Sequence, residues 1–470
     1  MFNFNTPRIL FRTPVHYQLP SHLPRLLLNP KGQPRYVKKC ELTQRLINLL
    51  APLDWDSLPM TLGKRRTGHR TIPLCAYIGA YLVKVECRLR TNGQLYRFLR
   101  DHPALIWALG FPIVPDQQRP YQVDTEKSLP TQRHLSDKLG DLPNELLQNL
   151  LDAQVMTLQQ AIGEPFGEVI STDTKHILAW VKENNPKQFV EERYDKEKQP
   201  KGDPDCKLGC KRKSNQVAPK KEGKPASEKV SIGAYYWGYA SGIVVTKVSD
   251  VGEFVLAELT ETFDHGDITY FLPLMNIVEN RLGKRPKYGT ADAAYDAFYT
   301  YDYFHNEEHD GFAAIPLRNM GHDRRFSPEG LPLCDADLPM VLKGTFINRT
   351  SPIKHQKGRY GCPLLYPKKT ADSCPIDHKK WGNGGCSTVM PTCAGARIRY
   401  ELDRNSDKFK EIYAQRTATE RIFAQAVDLG IERPKLRGYR PITNHNTLIY
   451  ILINLRAIKR AVDAGKLDIS

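Results

Sequence analysis

Apolar residues return at three- and four-residue intervals through the first third of the chain, and in short alternating or continuous runs beyond it. The first spacing predicts helices over residues 41–50, 73–90, 93–109, 131–139 and 142–161. Ahead of them, residues 1–36 are rich in Pro, Arg and Leu without a period, which predicts an extended arm. A short β-rich run up to Asp173 opens a second region. It is followed by a polar stretch, 182–229, with many Lys and Pro and few large hydrophobes, which reads as a mobile loop. Residues 231–240 and 242–249 read as a hairpin turning at Ser241-Gly242. A helix over 268–282, a strand leading to Asp292, an aromatic-rich helix from Tyr295 to Phe304 and a strand over 311–315 complete a β-β-β-α-β-α-β order. From Arg318 to Ser406 the pattern turns irregular. Phe409, Ile412, Phe423 and Val427 then mark one buried helical stripe that Gly430 closes, and an apolar helix over 447–461 follows.

This order divides the chain into an arm (1–36), a helical domain (37–162), the first part of an α/β core (163–317), an insertion (318–405) and the rest of the core with a last helix (406–470). The fold class expected is a mixed sheet flanked by helices. Charge narrows the partners: 68 Lys and Arg against 52 Asp and Glu give +16 and an isoelectric point near 9.2. Such a balance suits a polyanion such as double-stranded DNA, or serves only to keep the protein in solution. Basic clusters at Lys64, Arg65, Arg66 and Arg70, and at Arg88, Arg90, Arg97 and Arg100, make the helical domain the candidate DNA-binding part, the alternative being a solvated face. Lys354, Lys357, Arg359, Lys368 and Lys369 do the same for the insertion as a flap over DNA. No apolar run reaches membrane-spanning length, and the N-terminus lacks the order of a signal peptide, so a cytoplasmic, nucleoid-associated protein is expected.

Ten cysteines in a chain this long do not indicate a disulfide scaffold. Cys362, Cys374, Cys386 and Cys393 fall in one Gly- and Pro-rich segment and are a candidate structural Zn²⁺ set, although the spacing is not that of common zinc ribbons. The sharper chemistry lies in carboxylates. Arg416 and Glu420 fall inside the apolar stripe, where a charge needs a partner or a metal; the alternative is an ordinary i,i+4 ion pair at the edge of the stripe. Asp173 and Asp292 each stand where a strand should end, a place that also suits a helix cap. Three converging carboxylates repel one another and call for divalent cations, and oxygen ligands favour Mg²⁺ or Mn²⁺. Two such ions clamp the attacking and leaving oxygens of a phosphoryl transfer.

With these residues in place, the chain resembles the DDE transposases of bacterial insertion sequences. Tyr413, Arg416 and Glu420 match a Tyr-x2-Arg-x3-Glu third motif, Asp173-Thr174 the first, and Asp292-Ala-Ala-Tyr295-Asp296 the second. The segments 203–211 and 236–239 resemble the family's link between its first strands, and 130–136 its helical N-terminal region, so the likeness spans about residues 85–460. It implies a ribonuclease H-like core, catalysis by Asp173, Asp292 and Glu420 with two Mg²⁺ or Mn²⁺ per site, and cleavage of transposon ends followed by strand transfer into target DNA. It further implies action on terminal inverted repeats as a homodimer. Tyr413 and Arg416 become candidate DNA contacts. Where the family often has Lys after Glu420 this chain has Val427, leaving Arg421, Arg433 or Lys435 to supply that cation. A metal-dependent nuclease on the same fold, and a transposase-derived DNA-binding protein without catalysis, are the competing readings.

Overall fold

The computed structural model describes residues 20, 22–62, 71–212, 233–305, 311–318, 324–351 and 353–469. The basic cluster Lys64–Arg70 and most of the expected arm lie outside them. Among the described residues eight helices come first: α1 (Arg35–Lys38), α2 (Glu41–Leu50), α3 (Leu74–Glu86), α4 (Asn92–Arg100), α5 (Pro103–Leu109), α6 (Thr125–Ser128), α7 (Gln132–Asp141) and α8 (Asn144–Ile162). The single helix expected over 93–109 is two, because Pro103 cannot continue a helix and instead starts α5. The described end of the arm is not extended. It forms 3₁₀ turns at Arg25–Leu27 and Pro30–Gly32 and buries Leu23 and Leu26. There Arg25 Nη1 donates to the carbonyls of Trp107 and Phe111 at 3.0 and 3.1 Å.

A six-stranded mixed sheet follows, with helices packed on it. Its strands are β1 (Val169–Leu178), β2 (Lys207–Arg212), β3 (Gly233–Val248), β4 (Gly252–Thr262), β5 (Tyr288–Thr290) and β6 (Phe312–Ala314). The long β3 pairs antiparallel with β1 along one edge and with β2 and then β4 along the other. On the far side of β1, β5 and β6 continue the sheet in parallel. α9 (Phe271–Leu282) and α10 (Phe298–Phe304) make the connections around β5.

Two expectations fail here for identifiable reasons. Ser241-Gly242 is not a turn: β3 runs straight through it, and the missing Cβ of Gly242 admits the Tyr270 ring, which a Cβ would meet at 2.6 Å. The chain turns instead at Asp250, which takes φ +62°. The expected loop 182–229 holds β2 and a packed segment, with Asp203 and Cys206 fully buried and Tyr239 Oη donating to Asp203 at 2.8 Å. Its residues 213–229 lie outside those described.

The insertion is more regular than expected. β7 (Val341–Asn348), β8 (His355–Gly361) and β9 (Ser387–Pro391) form a three-stranded antiparallel sheet, and α11 (Gly395–Glu401) returns the chain to α10. After α12 (Asp407–Ala414) and α13 (Thr417–Asp428) comes α14 (Tyr439–Asp463), 25 residues long and starting well before the apolar run that announced it. α14 is buried on every side between α3, α7 and α8 and strand β4. Asn454 on it accepts from the Val255 N–H at 2.8 Å and donates to the Val255 carbonyl at 2.9 Å. Among the described residues no helix is long and apolar enough to cross a membrane.

Asn454→Ala would leave both peptide groups of Val255 unpaired in the core. A loss of about 2–4 kcal/mol is expected, one to two unsatisfied buried groups, read as a lower thermal midpoint than wild type; an unchanged midpoint would show that the pair does not hold α14 to the sheet.

Candidate active site

Register brings the first two carboxylates together. Ser171 of β1 pairs with Thr290 of the parallel strand β5. Two residues further along each chain stand Asp173 and Asp292, on the same side by the two-residue period of extended backbone. Both line one cavity of about 1060 Å³, with His176, Asp267 and Arg318 also in its wall. Asp292 stands just past the end of β5 as expected, whereas Asp173 lies within β1, which does not end there but continues to Leu178 in its ladder with β3. Asp292 is a cap as well, its Oδ1 accepting from the Ala294 N–H at 2.8 Å.

The charges are poorly solvated. Burial pushes the Asp173 carboxyl up to about 7. A hydrogen bond from the Thr174 N–H opposes the rise, the charges of Asp292 and Asp267 add to it, and Arg416 offsets part of it. Asp292 is raised first by burial and then by Asp267, with the Ala294 N–H and Arg416 opposing. Asp267 behaves differently. Burial alone would raise it, but His176 and the Thr174 hydroxyl hold it below the usual carboxylate range. Thr174 Oγ1 donates to Asp267 at 2.5 Å, and His176 Nε2 lies 3.9 Å away. Nothing in the local sequence singles out Asp267, which opens a 3₁₀ turn just before α9.

Glu420 is placed elsewhere than expected. The stripe from Phe409 to Val427 is two helices broken at Gln415-Arg416, and the break turns the second face. Ala418, Thr419, Ile422, Phe423 and Ala426 point inward, whereas Val427 is 37% exposed and Glu420 is exposed. Arg416 Nη2 donates to Glu420 Oε1 at 2.7 Å. Arg416 thus stands electrostatically between Glu420 and Asp173, and both hold its charge on against desolvation. The Ser171 hydroxyl fastens this turn to β1 through the Arg416 carbonyl at 3.4 Å.

The other predicted contacts divide. Tyr413 packs: its ring stacks on Phe409 at 5.9 Å, with Arg416 above it at 5.8 Å. Arg421 is taken by an ion pair with Glu253 of β4. Lys435 lies over the Trp180 ring at 5.1 Å, outside the carboxylate cavity. The expected zinc set is not assembled. Gly361 pairs with Ser387, so Cys362 and Cys386 face each other where that ladder ends. Burial and the thiols of Cys334 and Cys362 push Cys386 up to about 12. Cys393 instead sits beside Asp302, Cys374 is in a loop, and all ten cysteines are free. Cys334 lies 28 positions before Cys362, outside the Gly- and Pro-rich segment that carries the expected zinc set.

Among the described residues no group of three or more His, Cys, Asp and Glu side chains is arranged to hold a metal ion. A hydrated Mg²⁺ asks for less, since one or two carboxylates suffice when water and phosphate oxygens complete the shell. Asp173 and Asp292 fit that requirement: hard oxygen donors, side by side, each raised by burial and by a neighbouring negative charge. Comparison with models of known protein families and with curated proteins gives no match for the chain.

Asp173 sets a pH dependence. Its folded carboxyl titrates at about 7 and its unfolded one near the ordinary aspartate value of 3.8, so the native state holds the proton longer. Stability is therefore lost as pH rises from about 4 to 7 and stays lost above. In metal-free buffer Asp173→Asn should gain on wild type by up to roughly 4 kcal/mol at pH 8 and by little at pH 4. Thermal midpoints across that range check this; a difference independent of pH would show that Asp173 ionises normally.

Proposed function

We propose that this protein is a DNA transposase of the DDE class, cutting transposon ends and joining them to target DNA at the Asp173–Asp292 site. The observation that carries the reading is the meeting, on adjacent parallel strands, of two desolvated aspartates 119 positions apart in sequence. A mixed sheet flanked by helices, with β1 between an antiparallel and a parallel neighbour, is compatible with a ribonuclease H-like core. The motif around Tyr413, Arg416 and Glu420 and the net charge of +16 support the same conclusion.

In this reading Asp173 and Asp292 hold Mg²⁺ or Mn²⁺, which when bound polarise the scissile phosphate and its attacking oxygen. The protein's own part is to keep those two carboxylates half-buried, adjacent and fixed by the β1–β5 register. Arg416 places a guanidinium beside Asp173, where a phosphate oxygen would be neutralised. Glu420 completes the carboxylate set by exchanging its partner Arg416 for the site. The reaction runs on paired DNA ends with the protein as a homodimer.

One observation favours a second reading, a transposase-derived DNA-binding protein without catalysis. Glu420 is exposed and tied to Arg416, and Val427 stands where the family often has Lys. A nuclease on the same fold would cut without joining.

The test incubates the protein and Mg²⁺ or Mn²⁺ with labelled DNA from the flanks of its reading frame. Cutting at a defined end and joining of that end are expected. Asp173→Asn, Asp292→Asn and Glu420→Gln should each lower cutting at least about a hundredfold, as removal of one transition-state group does, while DNA binding stays near wild type. Mn²⁺ should raise the thermal midpoint of wild type and of neither Asp variant. Binding without cutting selects the second reading, and cutting without joining selects the nuclease.

A further inference from the structure

A second cavity, of about 420 Å³, opens where β1 ends, and Leu178 borders both it and the carboxylate cavity. Its volume lies within the roughly 300–1,000 Å³ of small-ligand sites. Trp180 stands in its wall with 42% of its surface exposed. Arg437 Cζ lies 4.8 Å and Lys435 Nζ 5.1 Å from the Trp180 ring centroid. Arg437 Nε also donates to the Trp180 carbonyl at 3.4 Å, and the Leu178 N–H donates to the Glu432 carbonyl at 2.9 Å. These two bonds pin the basic loop after α13 to the end of β1.

The chemistry of this wall is one-sided. Lys182, Arg433, Lys435 and Arg437 line it, no carboxylate does, and among the described residues none of the four cations is in an ion pair. The result is a partly exposed indole framed by cations, two of them lying over its ring. It is what a nucleic-acid strand requires: a ring for a base to stack on and cations for the flanking phosphates. A base hidden in a duplex cannot offer its face, so the occupant is unpaired. From Asp173 to Leu178 the strand spans about 17 Å, roughly five nucleotide steps of 3.4 Å.

We propose that Trp180, with Lys435 and Arg437, forms a stacking platform for an unpaired base of the DNA strand that passes the Asp173–Asp292 cavity. The proposal rests on the reading of the chain as a DNA-processing protein. It adds a preference that the carboxylate site does not supply: DNA that is opened near the site of reaction is held better than intact duplex.

The experiment measures dissociation constants of the full chain, at one salt concentration, for a labelled duplex and for the same duplex carrying a short non-complementary bubble. Wild type should bind the bubbled DNA about tenfold more tightly, within the range of one stacked base. Trp180→Ala should bring the ratio of the two constants close to one, and Trp180→Phe should keep most of it. Matching thermal midpoints confirm that both variants are folded. A full ratio in Trp180→Ala, or a ratio of one in wild type that binds duplex, overturns the platform and leaves the DNA reading standing. Binding of neither DNA overturns both.

Discussion

The burial of α14 is the constraint from which the rest follows. Residues 442–455 of this helix are enclosed on all sides, and their polar side chains must find partners without water. Most do, although Asn446 Oδ1 is buried without a partner, and one network reaches three other elements. Thr447 donates to the fully buried Glu258 of β4, and Gln148 of α8 donates to the same oxygen at 2.6 Å. Arg281 of α9 donates to Gln148 at 2.8 Å, to Asp152 at 2.7 Å and to the Leu256 carbonyl at 2.7 Å. Burial raises Glu258, and the bonds from Thr447, Gln148 and Thr260, with the charge of Arg281, work against that rise. Breaking one member leaves a buried charge uncompensated, which costs far more than the network gains over an apolar core. Its contribution is therefore to fix one arrangement of α8, α9, α14 and β4.

Fixing β4 fixes the site. β4 pairs with the second half of β3, β3 carries β1 along its other edge, and β1 sets β5 beside it in parallel. A slip of one residue in any of these ladders would turn Asp173 or Asp292 to the opposite face. The site exerts a cost on this frame, because Asp173 sits where its charge is poorly solvated and faces two others. The large shared cores on both sides of the sheet, which meet α14 from the helical part and from the strands, offset that cost.

Helical periodicity was legible where a helix has one wet face, as in α2 and α8, and the place of Asp292 after a short strand could be read from the pattern, whereas β1 runs on through Asp173 because its polar continuation, Thr174 to His176, is held by pairing with β3. The rest was hidden for separate reasons. Gly242 signals a turn locally, but its role is the approach of Tyr270 from a remote segment. β2 is written in Lys and Cys because it is an edge strand, held by pairing with β3 more than by its own apolar content. Asp267 becomes part of the site only through Thr174 and His176, more than ninety positions away. The break at Gln415-Arg416 could not be seen because a helical period continued across it predicts the same apolar positions up to Phe423. Only Val427 and Glu420, which it turns outward, betray the change of phase.

That change of phase bears on what Glu420 can do. The inward face of α13, from Ala418 to Ala426, is buried, so the helix itself is anchored. The Arg416–Glu420 pair is not, with side chains 25% and 52% exposed. Ion pairs of that exposure are worth about 0–1 kcal/mol, less than the interaction of a carboxylate with a divalent cation and a phosphate. A side-chain rotation that gives up Arg416 is therefore inexpensive, whereas any movement of the backbone would expose Ile422 and Phe423. The same rotation frees the guanidinium beside Asp173, next to the carboxylate that most needs a positive charge. In the transposase reading, the exchange of Glu420 for Arg416 is the one rearrangement the site requires, and it lies in a solvent-exposed ion pair.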